Sequence, residues 1–325
     1  MFRTTFLLVL LCAVMAIAFP DCQKEIKTEY VLPDSTYTGS IQFVLQYNPT
    51  QFGIFYNILQ IHELADSLSA PGPFTVFAPS NEWVIYTPDI PTVANYIVPK
   101  SFPLGQLKPG DAVPVYGKGN YKIWVNAYSF NSKMRYTANG VLITQADQQA
   151  TNGTINTTAG QLPATVYPSC KACLDGNPSF STFAYAVRRS GLETLLSDST
   201  AAYSVLVPTN DVFAAAGIDI DSIGRMDVDS VAAMVKFHIM KGRYYSYDFE
   251  VRYQGDGTNP DTLSFPTLAD SSMKVGIVTN GSTDPKDFYF QFTGSDGSTS
   301  YQGLYQTPFP SGAGVVRNID HILKP

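Results

Sequence analysis

The stretch 73-PFTVFAPSNEWV-84 returns later in the chain as 203-YSVLVPTNDVF-213. Each copy joins an apolar, β-branched run to proline, Ser or Thr, asparagine and an acidic residue. The runs Phe74–Phe77 and Tyr203–Leu206 read as strands. Ser80 and Thr209 then suit a helix N-cap, where a hydroxyl accepts from free first-turn amides. Glu82 and Asp211 add negative charge at the positive end of the helix dipole. The sequence thus places a strand-to-helix switch at the same point of two units.

The repeat extends outward from that switch. Upstream, 52-FGIFYNILQIHEL-64 aligns with 180-FSTFAYAVRRSGL-192. Phe52, Phe55, Leu59 and Leu64 match Phe180, Phe183, Val187 and Leu192, on or near one face of an amphipathic helix. Downstream, 121-YKIWVNAYSF-130 and 140-GVLITQA-146 in one copy face 273-MKVGIVTNG-281 and 287-DFYFQFTG-294 in the other. These runs, bounded by Gly, Asn and Asp, predict antiparallel strands and hairpins.

The 325 residues hold 45% hydrophobic, 13% aromatic and 15% charged residues, a globular composition rich in strand and turn formers. With a net charge of −6 and no Lys/Arg cluster, nucleic acid is excluded as a partner. The N-terminus carries Arg3, the apolar run 6-FLLVLLCAVMAIA-18 and Pro20. That run is too short to cross ~30 Å of hydrocarbon as a helix and reads as a signal peptide, giving an exported protein. Cleavage after Ala18 leaves a secreted chain beginning at Phe19. Acylation of Cys22 instead makes a lipoprotein anchored to the membrane through its N-terminus. Cys12 leaves with the signal, so an acylated Cys22 leaves Cys170 and Cys173 as an even pair. The residues 22-CQKE-25 resemble the export signal of surface lipoproteins in Bacteroidetes-type bacteria, which implies an outer-membrane, cell-surface location.

Three boxes, in order and mostly duplicated, resemble the fasciclin-type domain. They are the strand-Pro-Ser/Thr-Asn-acid box, the box 234-MVKFHIMKGRYY-245, and the closing run 314-GVVRNIDHILKP-325 with its counterpart 152-NGTINTTAGQLP-163. In the first copy Tyr96 stands where the second has His238, and Ala159 lies near the place of Asp320. The resemblance implies an α+β fold: two domains, each a twisted β-sheet wedge or sandwich with a helical layer. The expected boundaries are a signal peptide at 1–21, a first domain at 22–168, a linker with a CxxC at 169–178 and a second domain at 179–325.

The chemistry-bearing residues are few. His62, His238 and His321 fall in three separate boxes without ligand spacing, so no metal site is expected. There is no Gly-x-Ser-x-Gly elbow, phosphate loop or HExxH, so neither catalytic residues nor a cofactor are expected. His238, between Phe237 and Ile239, reads as a satisfied core histidine; the resemblance alone ties the Phe237-His238 position to adhesion. Asp147-Gln148 stands where an Asp-Ile pair is linked to integrin binding in some family members. Tyr244 and Tyr245 are candidates for stacking on a sugar or peptide. Cys170 and Cys173 are expected to close a small disulfide that stiffens the linker. The sequons at Asn152, Asn156 and Asn280 matter only in a eukaryotic secretory pathway. The resemblance implies a non-enzymatic surface adhesion or matrix-binding protein, its partner a cell-surface or matrix protein or a polysaccharide. The alternative is a glycan- or small-ligand-binding surface lipoprotein for nutrient capture.

Overall fold

The computed structural model describes residues 39–83, 90–130, 132–164, 167–249, 262–278, 289–303 and 308–324. The expected signal peptide, Cys22 and Asn280 lie outside them. The first copy opens with helices α1 (Ile41–Tyr47) and α2 (Pro49–Ile61). On α2 the expected stripe is buried at Phe52, Phe55 and Leu59, and each phenylalanine ring contributes about 2 kcal/mol by leaving water. Strands β1 (Phe74–Pro79), β2 (Ile97–Val98), β3 (Ala112–Tyr116), β4 (Lys122–Phe130), β5 (Lys133–Ala138), β6 (Val141–Ala150) and β7 (Gly153–Thr158) follow. They form one sheet in the order β2-β1-β7-β6-β5-β4-β3, with β1 and β7 parallel.

The second copy places helices α4 (Cys170–Gly176), α5 (Ser181–Arg189), α7 (Asn210–Ala215) and α9 (Val228–Phe237) around β8 (Tyr203–Pro208). Between them lie α6 (Glu193–Ser197) and α8 (Ile220–Arg225), just as α3 (Ile90–Ala94) precedes β2 in the first copy. The remaining strands are β9 (Ile239–Lys241), β10 (Leu263–Pro266), β11 (Ser272–Val278), β12 (Tyr289–Thr293), β13 (Thr299–Gly303), β14 (Phe309–Ser311) and β15 (Gly314–Ile319). They make two four-stranded sheets, β14-β15-β8-β9 and β10-β11-β12-β13. Leu206 and Ile319 of the first sheet meet Phe265, Met273, Phe290 and Phe292 of the second in one apolar cluster. A second cluster seats Phe183, Val187, Phe213 and Val235 of the helices on Val205 and Val316. The mixed α+β architecture is thus the one expected, built twice.

The repeated switch works differently from its sequence reading. Thr209 stands at the N-cap of α7, but its hydroxyl makes no cap bond. Ser80 leads only into a single 3-10 turn, Asn81–Trp83. The repeated work falls to the next residue. Asn81 accepts from the Ile54 amide at 2.9 Å and donates to the Thr50 carbonyl at 2.9 Å. Asn210 accepts from the Thr182 amide at 3.0 Å and donates to the Pro178 carbonyl at 2.9 Å. Each asparagine therefore bridges a carbonyl and the amide four residues on, at the start of the helix preceding its own strand. A side-chain amide carries both donor and acceptor and spans that pair; a hydroxyl is too short to do so.

Candidate functional site

The Phe237-His238 position closes α9 and opens β9. Both side chains are fully buried. His238 Nδ1 lies 2.8 Å from the Met234 carbonyl, and the Leu323 amide donates to Nε2 at 3.1 Å. A carbonyl only accepts and an amide N–H only donates, so the ring is neutral with its proton on Nδ1. Burial pulls its pKa down to about 4. The phenyl ring of Phe183 covers it edge-on, with centroids 5.8 Å apart. In the first copy Tyr96 occupies the same place, buried beside Phe55, and its hydroxyl accepts from the Leu162 amide at 2.9 Å. The two residues that differ between the copies make the same bond to the closing segment.

Tyr244 and Tyr245 point in opposite directions. Tyr244 is half-buried against the rings of Phe265 and Phe249. Tyr245 is 1% exposed, and its hydroxyl donates to Asn139 of the first copy at 3.4 Å. Phe237, His238 and Tyr245 therefore present no surface to an external partner.

The expected linker around the CxxC is a helix. Ser169 caps α4 by accepting from the Ala172 amide at 3.1 Å, and Cys170, Cys173 and Leu174 enter the core of the second copy. Both cysteines are free thiols and not the expected disulfide. Their sulfurs sit one turn apart, held by core packing; Cys170 reaches the Ser311 carbonyl at 3.9 Å. The helix N-terminus that favours a thiolate is present, but burial outweighs it. The thiols are pushed up to about 12 at Cys170 and about 11 at Cys173. The signal for this helix was the Ser169 cap, which falls in the stretch read in sequence as linker.

Other sequence candidates are spent on structure. Asp147 accepts from the Leu104 and Gly105 amides at 3.0 and 2.8 Å, fixing a 3-10 turn. Asn152 accepts from the Ile41 amide and donates to the Leu68 and Ala70 carbonyls, all at 2.8 Å. Asn156 is fully buried and accepts from the Asp147 amide at 2.7 Å. Among the described residues, no group of three or more His, Cys, Asp and Glu side chains is placed to hold a metal ion, and no helix is long and apolar enough to cross a membrane.

The fasciclin domain model matches residues 50–159 and 178–325. The chain belongs to the fasciclin domain family. Transforming growth factor-beta-induced protein ig-h3 of Sus scrofa is 27% identical over 231 residues, 66% of this chain and 31% of that protein. Its Oryctolagus cuniculus counterpart is 28% identical over 230 residues, with the same coverage. The chain thus spans under a third of the length of these relatives. A solved FAS1 domain pair from the insect cell adhesion molecule fasciclin I overlaps 84% of this chain and 96% of its own, at 16% identity and a TM-score of 0.42.

Among the described residues, the β10–β13 sheet of the second fasciclin repeat has an outer face. Alternation along β11, β12 and β13 sends Met273, Val275, Phe290, Phe292 and Gln302 inward. The opposite face carries Lys274, Gly276, Tyr289, Gln291 and Tyr301, with Gln291 opposite both Gly276 and Tyr301. Gln291 donates to the Tyr301 hydroxyl at 3.2 Å. This face was not singled out in the sequence. Its signal is the period-two pattern of 287-DFYFQFTG-294, whose polar half is as informative as its apolar half.

Proposed function

We propose that the chain is an exported, non-enzymatic adhesion or matrix-binding protein that recognises its partner through the outward face of the β10–β13 sheet. The observation that carries this reading is the half-buried pair Tyr289 and Tyr301 flanking Gln291, with exposed Lys274 beside them. Tyrosine offers a flat apolar face with a polar edge. The Gln291–Tyr301 bond fixes one ring in place, which lowers the ordering cost of binding. Attachment through an acylated Cys22 would hold this face at the cell surface; mass spectrometry of the mature N-terminus tests that part, and an unmodified chain beginning at Phe19 refutes it.

The deciding experiment coats beads with the full chain and measures their retention on matrix proteins and on cell surfaces. Retention that falls several-fold with Tyr301→Ala or Gln291→Ala supports the reading. Undiminished retention in both variants overturns the placement of the site. The same flat, amide-flanked tyrosines also favour a second reading, capture of a polysaccharide. A glycan array separates the two: saturable binding to a defined oligosaccharide, lost in Tyr301→Ala, replaces adhesion with capture.

A further inference from the structure

We infer that residues 243–247 act as a clasp that docks on the outer sheet face of the first repeat and makes the two fasciclin repeats one cooperative body. This holds whatever partner the second repeat's outward face takes. Arg243 and Tyr245, and Tyr247 in the helical turn 246–249 that follows, meet the first repeat, where Trp124, Asn126 and Tyr128 alternate along β4. The Arg243 guanidinium lies 3.7 Å from the centre of the Trp124 ring and donates to Asn126 at 3.2 Å. Tyr245 reaches Asn139, and Tyr247 meets Tyr128 edge-on with centroids 6.5 Å apart. Trp124 returns a bond from its indole nitrogen to the Gly312 carbonyl at 3.1 Å.

Both sides of this contact are shaped for it. Asn139 and Gly140 form the β5–β6 turn with positive φ of 45° and 77°. A Cβ at Gly140 would fall 2.1 Å from Tyr245, so only glycine admits the ring. On the other side the clasp is held from within its own repeat. Ser204 accepts from the Tyr244 amide at 2.8 Å and donates to the Gly242 carbonyl at 3.0 Å. Arg317, fully buried, reaches Gln302 at 2.8 Å, the Tyr244 carbonyl at 3.3 Å and Ser246 at 3.4 Å. Asp248 accepts from the Tyr245 amide.

The first repeat has the same backbone support without the docking side chains. Thr75 accepts from the Phe102 amide and donates to the Lys100 carbonyl, both at 2.9 Å. Register thus pairs Ser101 and Pro103 with Arg243 and Tyr245. The asymmetry makes the contact one-way, from second repeat to first. Tandem domains are expected to move against one another unless their interface is large or apolar. Here residues 33–325 form one compact unit.

The test uses the full chain with Trp83→Phe, leaving Trp124 as the sole tryptophan. The expected result is one unfolding transition, coincident by Trp124 emission and far-UV circular dichroism. Arg243→Ala and, from the other side, Asn126→Ala should each shift Trp124 emission and split the two probes. A double-mutant cycle should show the two losses to be non-additive. Two separated transitions in the parent, or unchanged emission and a single unchanged transition in both variants, overturns the clasp. Should either variant fail to fold, small-angle scattering of the parent decides: a compact, rigid pair supports the clasp and a flexible dumbbell refutes it.

Discussion

Tyr96 and His238 accept a hydrogen bond from the same place in their respective repeats, at 2.9 Å from Leu162 and 3.1 Å from Leu323. Their own carbonyls are also equivalent, accepting from Phe77 at 2.9 Å and Leu206 at 2.8 Å. One position thus fastens the end of each repeat to its central strand pair. The phenol oxygen accepts in either protonation state, whereas the imidazole does so only while Nε2 is unprotonated.

That difference predicts an acid sensitivity that originates in the second repeat. The folded pKa of His238 is about 4, below the value of about 6.5 for an exposed histidine. Its contribution to stability is therefore complete above about pH 6.5, where both states are neutral. It declines between about pH 6.5 and 4, as the unfolded chain takes up the proton first. The full loss approaches about 3 kcal/mol at roughly 1.4 kcal/mol per pH unit. Denaturant melts of His238→Tyr and His238→Gln, each keeping an acceptor that does not titrate there, should show a shallower decline over that window than the parent. Parallel pH profiles in all three proteins would refute this.

The repeated asparagine predicts a stability effect that the neighbouring hydroxyl does not share. Asn81→Ala and Asn210→Ala each leave a helix amide and carbonyl without their partner, at a cost of about 1–2 kcal/mol. Thr209→Ala removes no cap bond and should cost less. Chemical denaturation midpoints rank the three variants, and equal losses at hydroxyl and amide positions would contradict the assignment.

What the sequence made legible was whatever depends on near neighbours. The stripes of α2 and α5 were readable because a helix brings Phe52, Phe55 and Leu59, or Phe183 and Val187, to one face by local spacing alone. The capping role of Thr209 was read by the same local logic and failed. Asn81 and Asn210 find better partners about thirty residues back, 27 for Asn81 with Ile54 and 28 for Asn210 with Thr182. The candidate site was harder still. Tyr245 is covered by a turn 106 residues away, and nothing in 243-RYYSYDF-249 announces which of its aromatics meets that turn. The outward face of β12 and β13 was written in the same strands as the core, but only pairing sets Gln291 against Tyr301.

The sequons give a chemical check on the first repeat. An N-glycan at Asn152 would displace its bonds to Leu68 and Ala70, and one at Asn156 would have to enter the sheet's interior. Expression in a eukaryotic secretory host should therefore yield a folded, secreted fraction unmodified at both positions. Peptide mapping of that fraction reads the outcome; a glycan on either residue in folded protein would rule out the local geometry.

The last test concerns the thiols of α4. At neutral pH neither Cys170 nor Cys173 is a thiolate, since burial pushes them to about 12 and about 11, and alkylation proceeds through the thiolate. Native protein treated with iodoacetamide should stay unlabelled at both residues for hours. The same protein unfolded in denaturant without reductant should label at both within minutes. Peptide mapping keeps Cys22 out of the count. Labelling in the native state would mean that α4 opens readily from the core. No labelling after unfolding would mean that the pair is oxidised, which would replace two packed thiols with a bond across one turn of helix.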